Sequence, residues 1–453
     1  MNRFDGPVTS VIVTATFFLL CGFTSSPAVR INAPVVVTAA PFYDALAALH
    51  GGERFPHGAQ LLRIDNGKAS AVVSDFYATA DADVSFDATH LLFAGKQTAT
   101  SPWSIWEFTL ADHHAREVIA SASDAIRPLY LPGNRLVYAE RESTGFRMKA
   151  AMMDGSNILP LTYFRGSALP SKVLFDGRIL FESNYPLGSG DTPEVFLVYS
   201  DGSGVESYRC DHGSARWGAT QLSGGDIVFT HGATLARFTS PLAAEAPLEA
   251  PHAIYAGDIA ETSSGALIVS TKAEAAAHFQ LRSWQPGSHI AKPYFSQTGR
   301  DIVEPILLSV RPVPNRHPSA LHAWSTTNFL ALDARQSREG ALGGTPAFVS
   351  VETQDSSGNT VSLGQAAVEQ DGSFFVKAPG NQPLRFSLLD AQGKALRQEH
   401  GWFWSRGGEQ RICVGCHTGP EHAPDNHVPA VLLRTTEPVD LSGSTSALST
   451  GGK

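Results

Sequence analysis

Five short apolar runs recur along the first three hundred residues: "LLFA" from Leu91, "LVYA" from Leu136, "ILFE" from Ile179, "IVFT" from Ile227 and "LIVS" from Leu267, at steps of 45, 43, 48 and 40 residues. Most follow a turn, such as "FDATH", "LPGNR", "FDGR" or "SGGD". Each precedes a second strand-like run: "IWEFTL" (105–110), "RMKAAM" (147–152), "VFLVYS" (195–200), "LARF" (235–238) and "FQLRSW" (279–284). Turn-bounded strands at this period are the signature of propeller blades. One such sheet cannot bury both faces alone, whereas sheets stacked around an axis can. An array of irregularly spaced sandwich strands is the alternative.

"LLRID" (61–65) reads as an outer strand with no inner strand of its own, and "RDIVEPILLSV" (300–310) is placed to supply the missing partner. Closure by strands from both ends of the domain predicts six blades and removes the open sheet edges; the spacing does not by itself exclude seven. The fold class expected is therefore mostly β, with a propeller over 29–310. A proline-rich linker and domain entry follows over 311–344, "RPVPNRHPSALH" at its start, since prolines favour extended backbone. Runs such as "TPAFVSVETQ" (345–354), with turns at "QDGS", "PGNQ" and "AQGK", predict a small β-sandwich over 345–434. That domain is expected to end in a short helical segment around the Cys-x-x-Cys-His described below. Residues 435–453, rich in Ser, Thr and Gly, read as a disordered tail.

The first residues read as a secretory signal over 1–28. Arg3 precedes the apolar run "VTSVIVTATFFLLCGF" (8–23), and Ser26 and Ala28 offer a cleavage site before Val29. No other stretch approaches the ~20 apolar residues of a membrane span, so no stable span is expected after cleavage. Cys21 is a lesser candidate for a lipid anchor, because Leu20 stands where such signals carry a small residue. The predicted location is the periplasm or another exported compartment. Net charge is −9, without a long basic run, which argues against nucleic acid as a partner.

"RICVGCHTGPEHAPDNH" (411–427) carries two of the chain's four cysteines. Cys-x-x-Cys-His is the attachment signature of c-type haem. Two thiols add to the porphyrin's vinyl groups and the imidazole meets the iron. On a helical turn, positions i, i+3 and i+4 share a face, which would place Cys413 and Cys416 for attachment and His417 as the proximal axial ligand. A structural zinc site needs a fourth ligand, and an iron–sulfur cluster wants four cysteines; a redox dithiol wants a βαβ setting. No methionine follows the motif. His400, His422 and His427 are the nearby candidates for the sixth iron position, and an open site is the other option. "RCDHG" (209–213) offers Cys210 and His212 as further metal-capable residues, or as a buried cysteine in a turn.

Two resemblances extend this reading. "DVSFDATHLLFAG…SIWEFTL" (83–110) and "VFLVYSDGSGVESY" (195–208) resemble TolB-type propeller repeats. "LGQAAVEQDGSFFVKAPGNQPLRFSLLDAQGKAL…WFWSRGGEQRICVGCH" (363–417) resembles the middle, haem-bearing domain of the hydrazine synthase alpha subunit family. In that family a propeller precedes a β-rich domain ending in Cys-x-x-Cys-His. The resemblance covers most of residues 60–430 and is most specific at Asp371–Phe375 and Cys413–His417. It implies this architecture and one covalent haem c. The chain holds no second Cys-x-x-Cys-His, so the resemblance does not extend to hydrazine synthesis.

The expected function is that of an exported single-haem c-type cytochrome-like protein. It performs electron transfer, or haem-based redox chemistry on a small molecule, with the propeller as scaffold or docking platform. If it is an enzyme, it is a haem-dependent oxidoreductase. Its partner is a redox protein or a small redox substrate. The alternative is a non-catalytic propeller that binds protein or glycan, with the Cys-x-x-Cys-His segment structural or unoccupied.

Overall fold

A computed structural model describes residues 33–185, 192–209, 214–337, 339–415 and 426–443. The expected signal peptide over 1–28 lies outside these residues.

Six four-stranded antiparallel sheets form a ring. Their innermost strands are Asp301–Leu307, Ala78–Val84, Ala125–Leu131, Ala168–Val173, Trp217–Gln221 and Ile254–Glu261. Each innermost strand contacts the next, and the sixth contacts the first. The recurring apolar runs are the second strand of blades two to six, for example His90–Lys96 and Ile179–Ser183. Both faces of such a strand are covered by neighbouring blades, so all five residues of Ile179–Ser183 are buried and the sequence reads as a continuous apolar run rather than an alternation.

The first blade closes the ring as the sequence predicts, with one strand more than expected. Asp301–Leu307 pairs with Val35–Ala40, which pairs in turn with Gln60–Asp65. The wholly buried "VVVTAA" strand thus lies between the two segments that the sequence suggested as partners.

At every innermost pair the register shifts in mid-strand: between Ala80 and Asp83, Ile126 and Leu129, Pro170 and Lys172, Trp217 and Thr220, and Tyr255 and Ile259, and in the first blade between Val36 and Thr38 opposite Ile306 and Val303. These six bulges turn residues toward the axis. Asp81, Arg127 and Glu304 sit there with positive φ of 59°, 54° and 55°, a backbone state that disfavours side chains with a Cβ. The ion pairs described below offset that cost.

The second domain is a sandwich of two four-stranded sheets. One has the order Gln410–Cys413, Thr326–Ala331, Phe374–Pro379, Val439–Asp440; the other has Thr360–Ala367, Phe348–Gln354, Leu384–Leu389, Ala395–Gln398. Strict alternation of buried and half-buried residues along Phe348–Gln354 points one face inward, where Phe329, Val351, Phe374 and Phe386 pack.

Two expected boundaries move. The sandwich begins at Thr326 rather than near 345, because Thr326–Ala331 pairs with Phe374–Pro379 in the middle of its sheet. The stretch read as tail from 435 is partly ordered: Val439 and Asp440 pair with Val376 and Lys377, and Leu441 enters the core. That short strand is held by pairing and one buried side chain, neither of which a Ser- and Gly-rich composition announces. Residues 444–453 lie outside the described residues. Among the described residues no helix is long and apolar enough to cross a membrane.

Candidate functional site

Cys413 ends the edge strand Gln410–Cys413, which runs parallel to Thr326–Ala331 with Cys413 opposite Ala331. Its carbonyl accepts the Leu332 amide at 2.9 Å. The motif therefore starts on a strand; the α-helix near the C-terminus, Ala430–Arg434, follows it. The Cys413 thiol is in no disulfide. It is half-buried and packs against the sandwich core. Burial, partly offset by Arg411, pushes its pKa up, so at neutral pH it is a protonated thiol rather than a thiolate. Cys416, His417 and His422 lie outside the described residues, as do Cys210 and His212.

The chain returns to the same sheet after the motif, and "DGSFF" receives it. Ala331 pairs with Cys413 on one side and Phe374 on the other. The Asp371 carboxylate accepts the Ala430 amide at 2.6 Å and lies 3.3 Å from His427 Nε2, while the Val431 amide donates to Ser373 Oγ at 3.1 Å. Burial raises the Asp371 pKa, but the donors from Ala430 and Ser373 outweigh it and hold the carboxyl at about 2. Gly372 is required here: its φ is 84°, and a Cβ would lie 2.0 Å from Asp333 Oδ1. Thus the two ends of the stretch between Cys413 and His427 are tied to neighbouring strands of one sheet. His427 is occupied by Asp371, and His400 pairs with Glu339 at 3.1 Å. Among the described residues no three His, Cys, Asp or Glu side chains converge as a metal site.

"WFWSRGGEQR" (402–411), just before the motif, is the seam with the propeller. Trp404 is 1% exposed and completes the apolar cluster between the third and fourth blades, its ring centroid 5.0 Å from that of Phe164. Around it Arg411 donates to the Val205 carbonyl at 2.9 Å, and Glu409 accepts the Gly204 amide at 3.1 Å. Arg406 donates to the Tyr163 hydroxyl. Sequence reasoning missed this joint, since a tryptophan shared between domains has no local signature.

The other concentration of chemistry is the propeller axis. Buried Arg54 pairs with Glu304 at 2.6 Å and with Asp81. Glu304 also accepts Thr38 Oγ1 at 2.6 Å and the Asp81 amide at 3.1 Å. Arg127 meets Asp258 at 3.0 Å. Burial and then Asp81 push the Glu304 pKa up to about 7 against the pull of Arg54. Burial also raises Asp81, but Arg54 and Arg127 outweigh it and lower its pKa. These partners are separated in sequence by up to 266 residues, so no local pattern could have joined them.

Comparison with known proteins agrees with both domains. Residues 329–418 match the family described as "Hydrazine synthase alpha subunit middle domain". No curated protein sequence matches the chain. Among solved structures, the Kuenenia stuttgartiensis hydrazine synthase is similar in fold, with a TM-score of 0.74 at 15% identity, over 89% of this chain and 72% of that one. TolB from Acinetobacter baumannii gives a TM-score of 0.48 at 12% identity, over 62% and 67%. At these identities the likeness is one of fold.

Proposed function

Because residues 329–418 fall within the hydrazine synthase alpha subunit middle-domain family, we propose that the protein is an exported single-haem c-type cytochrome-like protein. Cys413 and Cys416 would hold one covalent haem c and His417 would be its proximal ligand. The observation that carries this reading is the match itself, which runs one residue past His417 and so takes in the whole motif. The described part of the site fits the group: the Cys413 thiol is unpaired, protonated and set beside an apolar cluster. Thioether formation consumes such a thiol. The haem would supply one-electron redox chemistry or small-molecule binding at iron. The protein's own part is positional. The edge strand fixes Cys413, the Asp371–Ser373 clamp fixes the returning chain, and Trp404 fixes the sandwich on the propeller. The propeller then serves as scaffold or docking platform for a redox partner or small redox substrate.

The test is expression of the full chain in a host with haem-attachment machinery, followed by a pyridine haemochrome spectrum and intact mass. One covalent haem per chain is expected, and Cys416→Ala should weaken or abolish attachment while the propeller stays folded. A colourless product with the mass of the bare polypeptide overturns the reading and leaves the propeller as a binding module. A carbon monoxide difference spectrum on reduced, haem-loaded protein then separates an open iron site from a six-coordinate electron carrier.

A further inference from the structure

The strand that carries Cys413 is held from two directions. Gln410–Cys413 is the edge of its sheet and has one neighbour there, Thr326–Ala331. Its other hold is on the propeller, through Arg411. That guanidinium donates to the Val205 carbonyl of the fourth blade at 2.9 Å and to the Trp404 carbonyl of the seam at 3.3 Å. Alternate residues of a strand share a face, so Arg411 and Cys413 lie on the same side of this one, opposite the exposed Ile412.

The charge on Arg411 is loosely compensated. Both of its acceptors are neutral carbonyls, and its one carboxylate neighbour within ion-pair range, Glu409, lies 3.9 Å from Nε. Glu409 is itself engaged by the Ser405 hydroxyl at 2.8 Å and by the amides of Arg406 and Gly204 at 2.9 and 3.1 Å. The Arg411 side chain is 25% exposed, so salt screens it less than it would a surface charge. The neighbouring thiol registers this field: burial raises the Cys413 pKa, Arg411 pulls it down, and Glu399 pushes it up. Glu399 belongs to the other sheet of the sandwich, where its amide donates to the Phe386 carbonyl at 3.0 Å. Two side chains of opposite sign, one from each sheet, thus act on the attachment sulfur. Ferric haem carries one positive charge more than ferrous haem, so a nearby cation favours the reduced form and a nearby anion the oxidised form.

We propose that Arg411 and Glu399 are positioning residues that set the reduction potential of the haem held at Cys413, Arg411 raising it and Glu399 lowering it. This assignment rests on the haem reading above. It also gives the propeller a part in the redox chemistry, because the Val205 carbonyl keeps Arg411 in place. Opening the seam would hydrate the guanidinium and weaken its effect, so the poise of the haem depends on the docked propeller.

Redox titration of the full haem-loaded chain and its variants tests it, with pyridine haemochrome content measured alongside. Arg411→Met should shift the equilibrium toward the ferric form by about tenfold, a potential lower by about 59 mV for a one-electron couple. Arg411→Lys keeps the charge without the two-pronged hold and should shift it less. Glu399→Gln should raise the potential. At equal haem content, an unchanged potential in Arg411→Met, or shifts of the same sign in Arg411→Met and Glu399→Gln, overturn the proposal. If Arg411→Met fails to fold, Glu399→Gln decides, and an unchanged or lowered potential there overturns it. Absence of covalent haem in the unmutated protein overturns this proposal and the haem reading together, whereas full haem content with unmoved potentials overturns this proposal alone.

Discussion

The propeller axis and the seam with the sandwich both bury unusual side chains, but by opposite means. At the axis the buried groups are ions: Arg54, Asp81 and Glu304 are each less than a tenth exposed, and each is paired on at least two sides. At the seam the buried group is Trp404, surrounded by Phe164, Phe181 and Phe196, with its indole Nε1 left without a partner among the described residues. Burying ions gains little net stability, yet removing one partner strands the others in a medium that cannot solvate them. Burying an aromatic gains stability in proportion to area, and its loss leaves a hole rather than a charge. The axis is therefore specific but brittle, and the seam is strong but simple.

Three experiments sharpen this contrast. Arg54→Met strands two buried carboxylates and should cost about 3–5 kcal/mol, read by chemical denaturation of the full chain. A loss below about 1 kcal/mol would mean that water reaches the axis. Trp404→Ala should cost about 3 kcal/mol, the lower end for a buried tryptophan, because the unpartnered Nε1–H is removed with the ring. It should also expose the strap between the domains to limited proteolysis, and a resistant strap would break the assignment of Trp404 as the anchor. The smallest effect is one of slope. Glu304 in the folded chain titrates near 7, above the ordinary carboxylate value of 4.5. The fold holds that proton more tightly than the unfolded chain does. Its contribution to stability is complete below the unfolded value and is lost as pH rises through about 7. Glu304→Gln should flatten stability against pH between these limits, and an unchanged slope would assign the proton elsewhere.

Sequence made the second strand of each later blade legible because those residues are buried on both faces. Of the innermost strands only Asp301–Leu307 was read, as the closing partner; the others were not, since their bulges carry residues such as Asp81, Arg127 and Pro128 where a strand pattern wants apolar residues. "VVVTAA" was missed because it follows a leader-like run and shares none of the spacing of the later blades. The motif at Cys413 stood out in the sequence by its spacing, but its local structure did not. Helical spacing is one way to present Cys413, and here Gln410–Cys413 is fixed by pairing with residues more than eighty positions earlier. The Asp371 clamp stood in the sequence as "DGSFF", a turn signal whose partners, Ala430 and Val431, only the fold supplies.

Closure of the ring has a consequence for biogenesis. Val35–Ala40 emerges early, but its inner neighbour, Asp301–Leu307, is made some 260 residues later. Until then the first sheet presents a bare apolar border to every other nascent chain. Such distant pairing is slow to form. Maturation of the ring thus waits on its last-made strand, and a holdase that shields "VVVTAA" would be the natural escort for this polypeptide on its way to the folded state.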